Sequence, residues 1–284
     1  MADATGRIVL VATPIGNLGD LSPRALEALA GADVVAAEDT RRTGRLLAHH
    51  GLDRPLLRLD DHTEVGRAPQ LVARAAAGEI VVVATDAGTP GISDPGYVLV
   101  RAAVEAGVPL ELVPGPVAAI HALVLSGLPT DRFAFEGFLP RRPAQRRQHV
   151  ATLAGEQRTL VCHLSPHRAA DELDDLAAAL GPRPAALARE LTKLHEEVMR
   201  APLDDLAATV RRDGVRGELT LVVGGAPVRG GAPQADLDDA ELVGRVRGLI
   251  ATGMAKNAAI AAVARATGVP RARVYDATVV TRDV

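Results

Sequence analysis

The sequence predicts an α/β protein, with two α/β domains followed by a small C-terminal helical extension. Two patterns carry this expectation. Short aliphatic runs alternate with helical segments, which implies βαβ units and a mostly parallel sheet. The runs are also continuously apolar, as expected of strands covered on both faces. At 284 residues the chain is long enough for two domains of roughly 150.

IVLVA (8–12) reads as the first strand, and Ser22 followed by Pro23 marks a helix start. DVVAAED (33–39) is a second strand, leading into an Arg-rich helix that ends near Gly51. A weaker strand lies near Leu56 to Leu59, and an Ala-rich helix runs to Gly78. EIVVVATD (79–86) is the most strand-like run, and a helix from Tyr97 stops at Gly107. LELVPG (110–115) and VAAIHALVLSG (117–127) are the next strand and helix. After Pro129 the pattern shifts: DRFAFEGF (131–138) holds all three Phe, and RRPAQRRQH (141–149) is the densest basic segment. TLVCHL (159–164), PAALAREL (184–191) and ELTLVVGG (218–225) are three more strands, separated by helices. The expected division is therefore 1–129 and 130–225 for the α/β domains, and a linker of open composition at 226–235. Residues 236–284 follow as two or three Ala-rich helices. Within them, AIAAVARATGVPRARVY (259–275) has a helix-turn-helix rhythm, the alternative being a packing or dimerising appendage.

Composition narrows the function classes. A net charge of −3 excludes a general polyanion binder, so nucleic-acid contact needs a local basic patch. Lys193 and Lys256 are the only lysines among 32 basic residues; alongside abundant Ala and Val, this reads as codon bias rather than RNA affinity. The single Cys162 excludes an internal disulfide and a Cys-based zinc site. No run approaches the roughly 20 apolar residues of a membrane helix, and IVLVA is too short for a signal peptide. A cytoplasmic protein with no membrane partner is expected.

Three strand ends carry Gly/Pro loops: ATPIGN (12–17), ATDAGTPGISDPG (84–96) and PGPVAA (114–119). In open α/β sheets, ligands bind beyond the carboxyl ends of the strands. Gly88 and Gly91 admit close backbone approach, and Asp86 adds a carboxylate. The phosphate-binding patterns GxGxxG and GxxxxGK[ST] are absent, so a ligand with hydroxyls, an amine and an adenine-like ring fits better than a phosphate. The alternative for 84–96 is a plain strand-to-helix turn, with Ser93 or Asp94 capping the helix.

Eight ordered segments, ATPIGNLGDLSPRALEAL, AEDTRRTGRLL, DAGTPGISDPG, PGPVAAI, SGLPTDRFAFEGFLP, SPHR, ARELTKLHEE and GELTLVV, resemble the tetrapyrrole-methylase-type methyltransferases. The resemblance covers residues 7–225 and is strongest to members acting on ribosomal RNA. It implies S-adenosylmethionine bound between the two α/β domains, and 2′-O-methylation of a cytidine in 16S rRNA near the decoding site. It also implies the rRNA or small ribosomal subunit as partner, and a homodimer. By resemblance, Pro14, Asp86, Ala87, Gly88, Thr89, Val117 and Ala118 lie against the cofactor, and Leu164, Leu191 and Thr220 supply the opposite wall. His163-Leu164 stands where relatives commonly carry Tyr-Glu, so no side-chain role carries over there.

A ribose hydroxyl is a poor nucleophile while protonated, so a base or an oxyanion-stabilising group is expected. Candidates are Lys193 and Glu190 of RELTK, and Asp39 (with Glu38) of AEDTRR. Lys193 is either a base of lowered pKa or a charged stabiliser; otherwise it pairs with Glu190 or Glu197 on a solvated surface. For Asp39 the alternative is helix capping. His163 and His167 lack a third ligand, so no metal is expected. Phosphate contacts are expected first from Arg141, Arg142, Arg146 and Arg147, then from Arg41, Arg42 and Arg45. Phe135 or Phe138 is either a base-stacking platform or core. Two other functions are weighed beside this one: C-methylation of a porphyrin-like ring, and a non-catalytic RNA-binding protein.

Overall fold

The computed structural model describes residues 6–227 and 237–280 and divides the chain into two compact units, Met1–Gly225 and Ala226–Val284. In the first unit, β1 (Arg7–Val11), α1 (Pro23–Ala30), β2 (Val34–Ala37), α2 (Thr40–His49), β3 (Leu56–Arg58) and α3 (Glu64–Ala76) follow in order. β4 (Ile80–Ala84), α4 (Tyr97–Ala106), β5 (Leu110–Val113) and α5 (Ala118–Ser126) complete the first half. The five strands form one parallel sheet in the order β3-β2-β4-β1-β5.

The continuous apolar runs have a direct explanation. Alternate residues of a strand face opposite sides of a sheet, and both sides here are covered. Ile8, Leu10, Val81 and Val83 pack with Leu71 of α3 and Leu99 of α4. Val9, Val11, Val35 and Val82 pack with Leu29 of α1 and Leu47 of α2. The Ser22 hydroxyl accepts from the Ala25 amide at 3.1 Å and starts α1, with Pro23 in its first turn.

The second half holds β6 (Phe133–Phe138), α6 (Pro143–Thr152), β7 (Thr159–Leu164), α7 (Ala169–Leu180) and β8 (Pro184–Arg189). It continues with β9 (Glu197–Pro202), α8 (Leu203–Asp213) and β10 (Leu219–Val223). Its mixed sheet runs β6-β7-β10-β8-β9, parallel only between β6 and β7. Strand β9 is not expected from the sequence. EVMRAP lacks an apolar run because it is a half-exposed edge strand, and pairing with β8 supplies its conformation. PAALAREL is shorter than expected: β8 ends at Arg189, and Glu190 and Thr192 take left-handed backbone angles (φ 52° and 65°).

One face of this sheet packs on α6, α7 and α8 through Val150, Leu173, Leu206 and their neighbours. The other face is covered from the first half of the chain. Ala119, Ala122 and Leu123 of α5 pack against Val161, Ala188 and Val222, with Ile15 and Leu191 at the margin. The Phe residues of β6 do not form a core row: a register shift lies between Phe135 and Phe138, Phe135 is half-buried, and Phe133 and Phe138 are exposed.

The second unit contains α9 (Asp239–Ala251), α10 (Lys256–Thr267) and α11 (Arg271–Val280) around Leu242, Val246, Ile260, Val263 and Val274. Asp238 and Glu241 form a reciprocal capping box at the start of α9. The helix-turn-helix rhythm appears as α10, Gly268 at φ 71° and α11. Of the expected linker at 226–235, residues 228–235 lie outside the described residues. Among the described residues, no helix is long and apolar enough to cross a membrane.

Cys162 lies inside the second sheet, 4% exposed, and burial pushes its thiol up to about 12, with Glu172 and Glu136 adding to the effect. Thiol reagents at pH 8 are expected to leave the native protein unmodified and to label it only after denaturation. Mass spectrometry checks this, and rapid native labelling would contradict the packing.

Candidate active site between the two sheets

The three Gly/Pro loops are stitched together at the carboxyl edge of the parallel sheet. The Thr13 amide donates to Gly88 O at 2.9 Å, and the Gly88 amide returns a bond to Thr13 O at 3.0 Å. The Thr89 hydroxyl donates to Pro116 O at 3.3 Å, joining the loop after β4 to the loop after β5. Gly88, Gly91 and Gly96 have φ of 87°, 84° and 143°, angles open to glycine at little cost. Ser93, between them, is held at φ 64°. Neither Ser93 nor Asp94 caps α4. Buried Glu64 of α3 does so, its Oε1 accepting from the Gly96 and Leu99 amides at 2.9 and 3.1 Å.

These loops face a cavity of about 460 Å³ whose opposite wall is the second sheet. Ala87, Gly88, Thr89, Val117 and Ala118 line it from the first half. Leu164, Glu190, Leu191, Lys193 and Thr220 line it from the second. Gly16 brings the two sides together: a Cβ there would stand 2.4 Å from Lys193 Cγ, so only glycine allows the ATPIGN loop to rest on the RELTK loop.

Pro14 and Asp86 line a smaller neighbouring cavity of about 220 Å³, together with Arg42, Arg45 and His49. The Asp86 carboxylate is engaged there. It accepts from the Asp39 amide at 3.1 Å and lies 3.3 Å from Arg42 Nη1, tying the β4 loop to the start of α2. Asp39 lines neither cavity. It caps α2 through the Arg41 amide at 2.9 Å and pairs with the Arg41 guanidinium at 2.7 Å. Its bonds to Arg41 hold its carboxyl well below the usual range, so it is a poor proton acceptor.

On the second sheet's wall, Lys193 Nζ lies 2.9 Å from Glu190 Oε1 and 3.1 Å from Glu218 Oε2. Partial burial opposes its charge, but the bonds to the two carboxylates outweigh this and raise its pKa. Lys193 is therefore an ammonium at neutral pH. Glu190 also accepts from the Glu218 amide at 2.8 Å; that bond, then Lys193, lowers its pKa.

His163 and Asp94, to which the sequence pattern gives no catalytic or cofactor role, both line the cavity. His163 Nδ1 is 3.0 Å from Thr220 Oγ1, and its ring centroid is 5.2 Å from those of Phe135 and Phe138. Burial lowers its pKa and keeps the imidazole neutral. The hydroxyl of Thr220 is thus engaged by His163. The sequence offers Asp94 as a helix cap, and the signal for more is its place in the turn-rich segment 84–96. Among the described residues, no cluster of three or more His, Cys, Asp or Glu could hold a metal.

The basic candidates separate by environment. Arg141, Arg142 and Arg147 are exposed around the start of α6, and Arg41, Arg42 and Arg45 are exposed along α2. Arg146 is different and is withdrawn from the phosphate-binding set. It faces the core with Val150 one turn away, is 3% exposed, and bonds Asp175 Oδ2 at 2.7 Å. Breaking such a pair strands a buried charge, so Arg146→Ala should cost about 3 kcal/mol of stability. Arg147→Ala, at an exposed position, should change stability by less than about 0.5 kcal/mol. Denaturant titrations of the two variants check the contrast.

Comparison with known proteins agrees with this architecture. Residues 7–207 match the family model Tetrapyrrole (Corrin/Porphyrin) Methylases. The chain is 46% identical over 275 residues to Ribosomal RNA small subunit methyltransferase I of Xylella fastidiosa strain Temecula1, covering 95% of this chain and 98% of that one. It is 47% identical over 285 residues to the protein of that name from Mycobacterium tuberculosis strain H37Rv, covering 98% and 96%. Among solved structures, it is similar to uroporphyrin-III C-methyltransferase of Thermus thermophilus (TM-score 0.57, 27% identity, 78% of this chain and 95% of that one). A second structure of that enzyme, complexed with S-adenosyl homocysteine, aligns with TM-score 0.54 at 24% identity, covering 77% and 97%. The chain belongs to the tetrapyrrole methylase family, on the branch of its ribosomal RNA small subunit methyltransferase I relatives.

Proposed function

We propose that the chain transfers a methyl group from S-adenosylmethionine to the ribose 2′-oxygen of a cytidine in 16S rRNA, near the decoding site. One observation carries the reading. A cavity closed by three Gly/Pro loops on one side and the RELTK loop on the other occurs in a chain nearly half identical to proteins named as small subunit rRNA methyltransferases.

The donor set fits the cofactor. Of the four charged residues on the cavity wall, Asp94, Glu190 and Glu218 are acidic and Lys193 is basic, a balance that favours a cationic sulfonium over a phosphate. Ile15, Ala87, Ala118, Leu164 and Leu191 offer apolar surface for an adenine ring, and the volume is that of a small-molecule site. In this reading Ala87, Gly88, Thr89, Val117, Ala118, Leu164, Leu191 and Thr220 hold the cofactor. Pro14 and Asp86 shape the loops behind it. Bound there, S-adenosylmethionine supplies an electrophilic methyl carbon.

The chain's own residues orient the hydroxyl and handle charge. Lys193, kept protonated, stabilises negative charge developing on the ribose oxygen; Glu190 positions it. Asp39, capped onto α2, takes no part in the chemistry. Arg41, Arg42, Arg45, Arg141, Arg142 and Arg147 supply phosphate contacts to 16S rRNA or the small subunit. The α/β domains are residues 1–129 and 130–225, with 236–284 as the helical extension. A cytoplasmic homodimer completes the proposal: Leu112 on edge strand β5 and Ile120, Val124 and Leu125 on α5 expose apolar surface that a second copy would cover.

Labelled S-adenosylmethionine, incubated with the protein and small ribosomal subunits, should place label in 16S rRNA as an alkali-resistant 2′-O-methyl dinucleotide. A parallel incubation offers a tetrapyrrole precursor, and label there alone would overturn the reading. Lys193→Ala should lower kcat by about 10²- to 10³-fold, with cofactor affinity by calorimetry little changed. Full turnover of that variant would remove Lys193 from the mechanism.

A further inference from the structure

Methylation of a hydroxyl releases a proton, and the groups assigned above cannot take it. Lys193 is already protonated, and Glu190 is occupied by Lys193 and the Glu218 amide. Glu218 pairs with Lys193 as well. His163 has one nitrogen, Nδ1, engaged by Thr220, and its burial disfavours the cation it would become on taking a proton. One ionisable group on the cavity wall is left without a partner. The carboxylate of Asp94 receives no hydrogen bond and no ion pair among the described residues.

The surroundings keep it that way. Helix α4 begins three residues later, where a carboxylate would ordinarily be drawn to the free amides, but Glu64 already satisfies Gly96 and Leu99. Ser93 at φ 64° and Gly96 at φ 143° bracket the residue, so its backbone direction is set by conformations most residues avoid. Three further carboxylates act against its charge: Glu38 after β2, Asp86 in its own loop and Asp61 after β3. Arg42, the cation at the head of α2, is engaged by Asp86.

We propose that Asp94 is the general base of the reaction, accepting the proton of the ribose 2′-hydroxyl as that oxygen is methylated. The proposal rests on the 2′-O-methylation reading above. The O–H bond breaks and its proton passes to the Asp94 carboxylate. A new O–C bond forms, and the methyl–sulfur bond breaks with its electron pair kept by sulfur. A sulfonium and a carboxylate thereby become a thioether and a carboxylic acid, so charge is neutralised inside the cavity. The proton then returns to solvent. Burial, then repulsion by Glu38, Asp86 and Asp61, pushes the carboxyl up to about 7, close to the optimum for a base working at neutral pH.

The test compares the full-length protein with its Asp94→Asn variant on small ribosomal subunits. The wild-type kcat/KM should rise about tenfold per pH unit below 7 and level off above it. The variant should lose 10²- to 10⁴-fold in kcat, a range of the order reported for general bases, and lose the acid limb as well. Its calorimetric affinity for S-adenosylmethionine should stay within about threefold of wild type, and carbon-13 NMR of labelled Asp should show one carboxyl titrating near 7 that the variant lacks. The folded-state pKa lies above the unfolded value, so ionised Asp94 opposes folding and stability falls as pH rises from about 4 to 7. Asp94→Asn should therefore melt no lower than wild type at pH 8, which separates a catalytic loss from misfolding. Wild-type turnover by the variant, or lost cofactor binding with turnover restored at saturating cofactor, would overturn the role of Asp94 alone. Failure of the wild-type protein to label rRNA would overturn the reaction itself.

Discussion

The site depends on one apolar seam. Helix α5 leaves the parallel sheet and lays Ala119, Ala122 and Leu123 on Val161, Ala188 and Val222 of the second sheet. Small residues dominate the contact, so the helix approaches the strands closely, and burial of Leu123 alone is worth on the order of 2 kcal/mol. Ile15 and Leu191 extend the seam to the rim of the cavity. Because the same segment follows the PGPVAA loop, the packing that joins the halves also fixes one wall of the site. Gly16 resting against Lys193 closes the opposite corner.

Around that seam the charges are sorted by partnership. Asp39 at the head of α2 is tied to Arg41, Asp86 after β4 is tied to Arg42, and both serve as structure. Glu190 of the RELTK loop and Glu218 before β10 hold Lys193 as a cation facing the cavity. Asp94 is excluded from both arrangements, and a carboxyl elsewhere, Glu64, has taken the capping duty its position suggests. A loop that reads as a simple strand-to-helix turn thus presents an unpaired carboxylate to the cavity. The backbone strain at Ser93, Glu190 and Thr192 lies on the same two loops.

The parallel half was legible because its strands are covered on both faces, which writes a continuous apolar run into each. β9 was not legible: an exposed edge strand needs only a partner, and the partner is distant in sequence. Arg146 and Arg147 are adjacent and chemically identical, yet one faces the core and the other solvent; a basic run does not declare its helix phase when the apolar signal around it is weak. Asp86 read as a cavity carboxylate because it ends the strand. Its actual partners, the Asp39 amide and Arg42, belong to the start of α2.

By itself, the sequence determined the α/β class, the three Gly/Pro loops at strand ends and the absence of a phosphate grip, since these follow from local periodicity, turn chemistry and residue spacing. Tertiary structure alone decided which carboxylates are neutralised and which remains free. Hydrogen bonds across 28 to 47 positions, such as Glu190 with Glu218, Asp39 with Asp86 and Glu64 with Gly96, are made only when separate segments meet, and they leave Asp94 as the carboxylate on the cavity wall without a partner among the described residues.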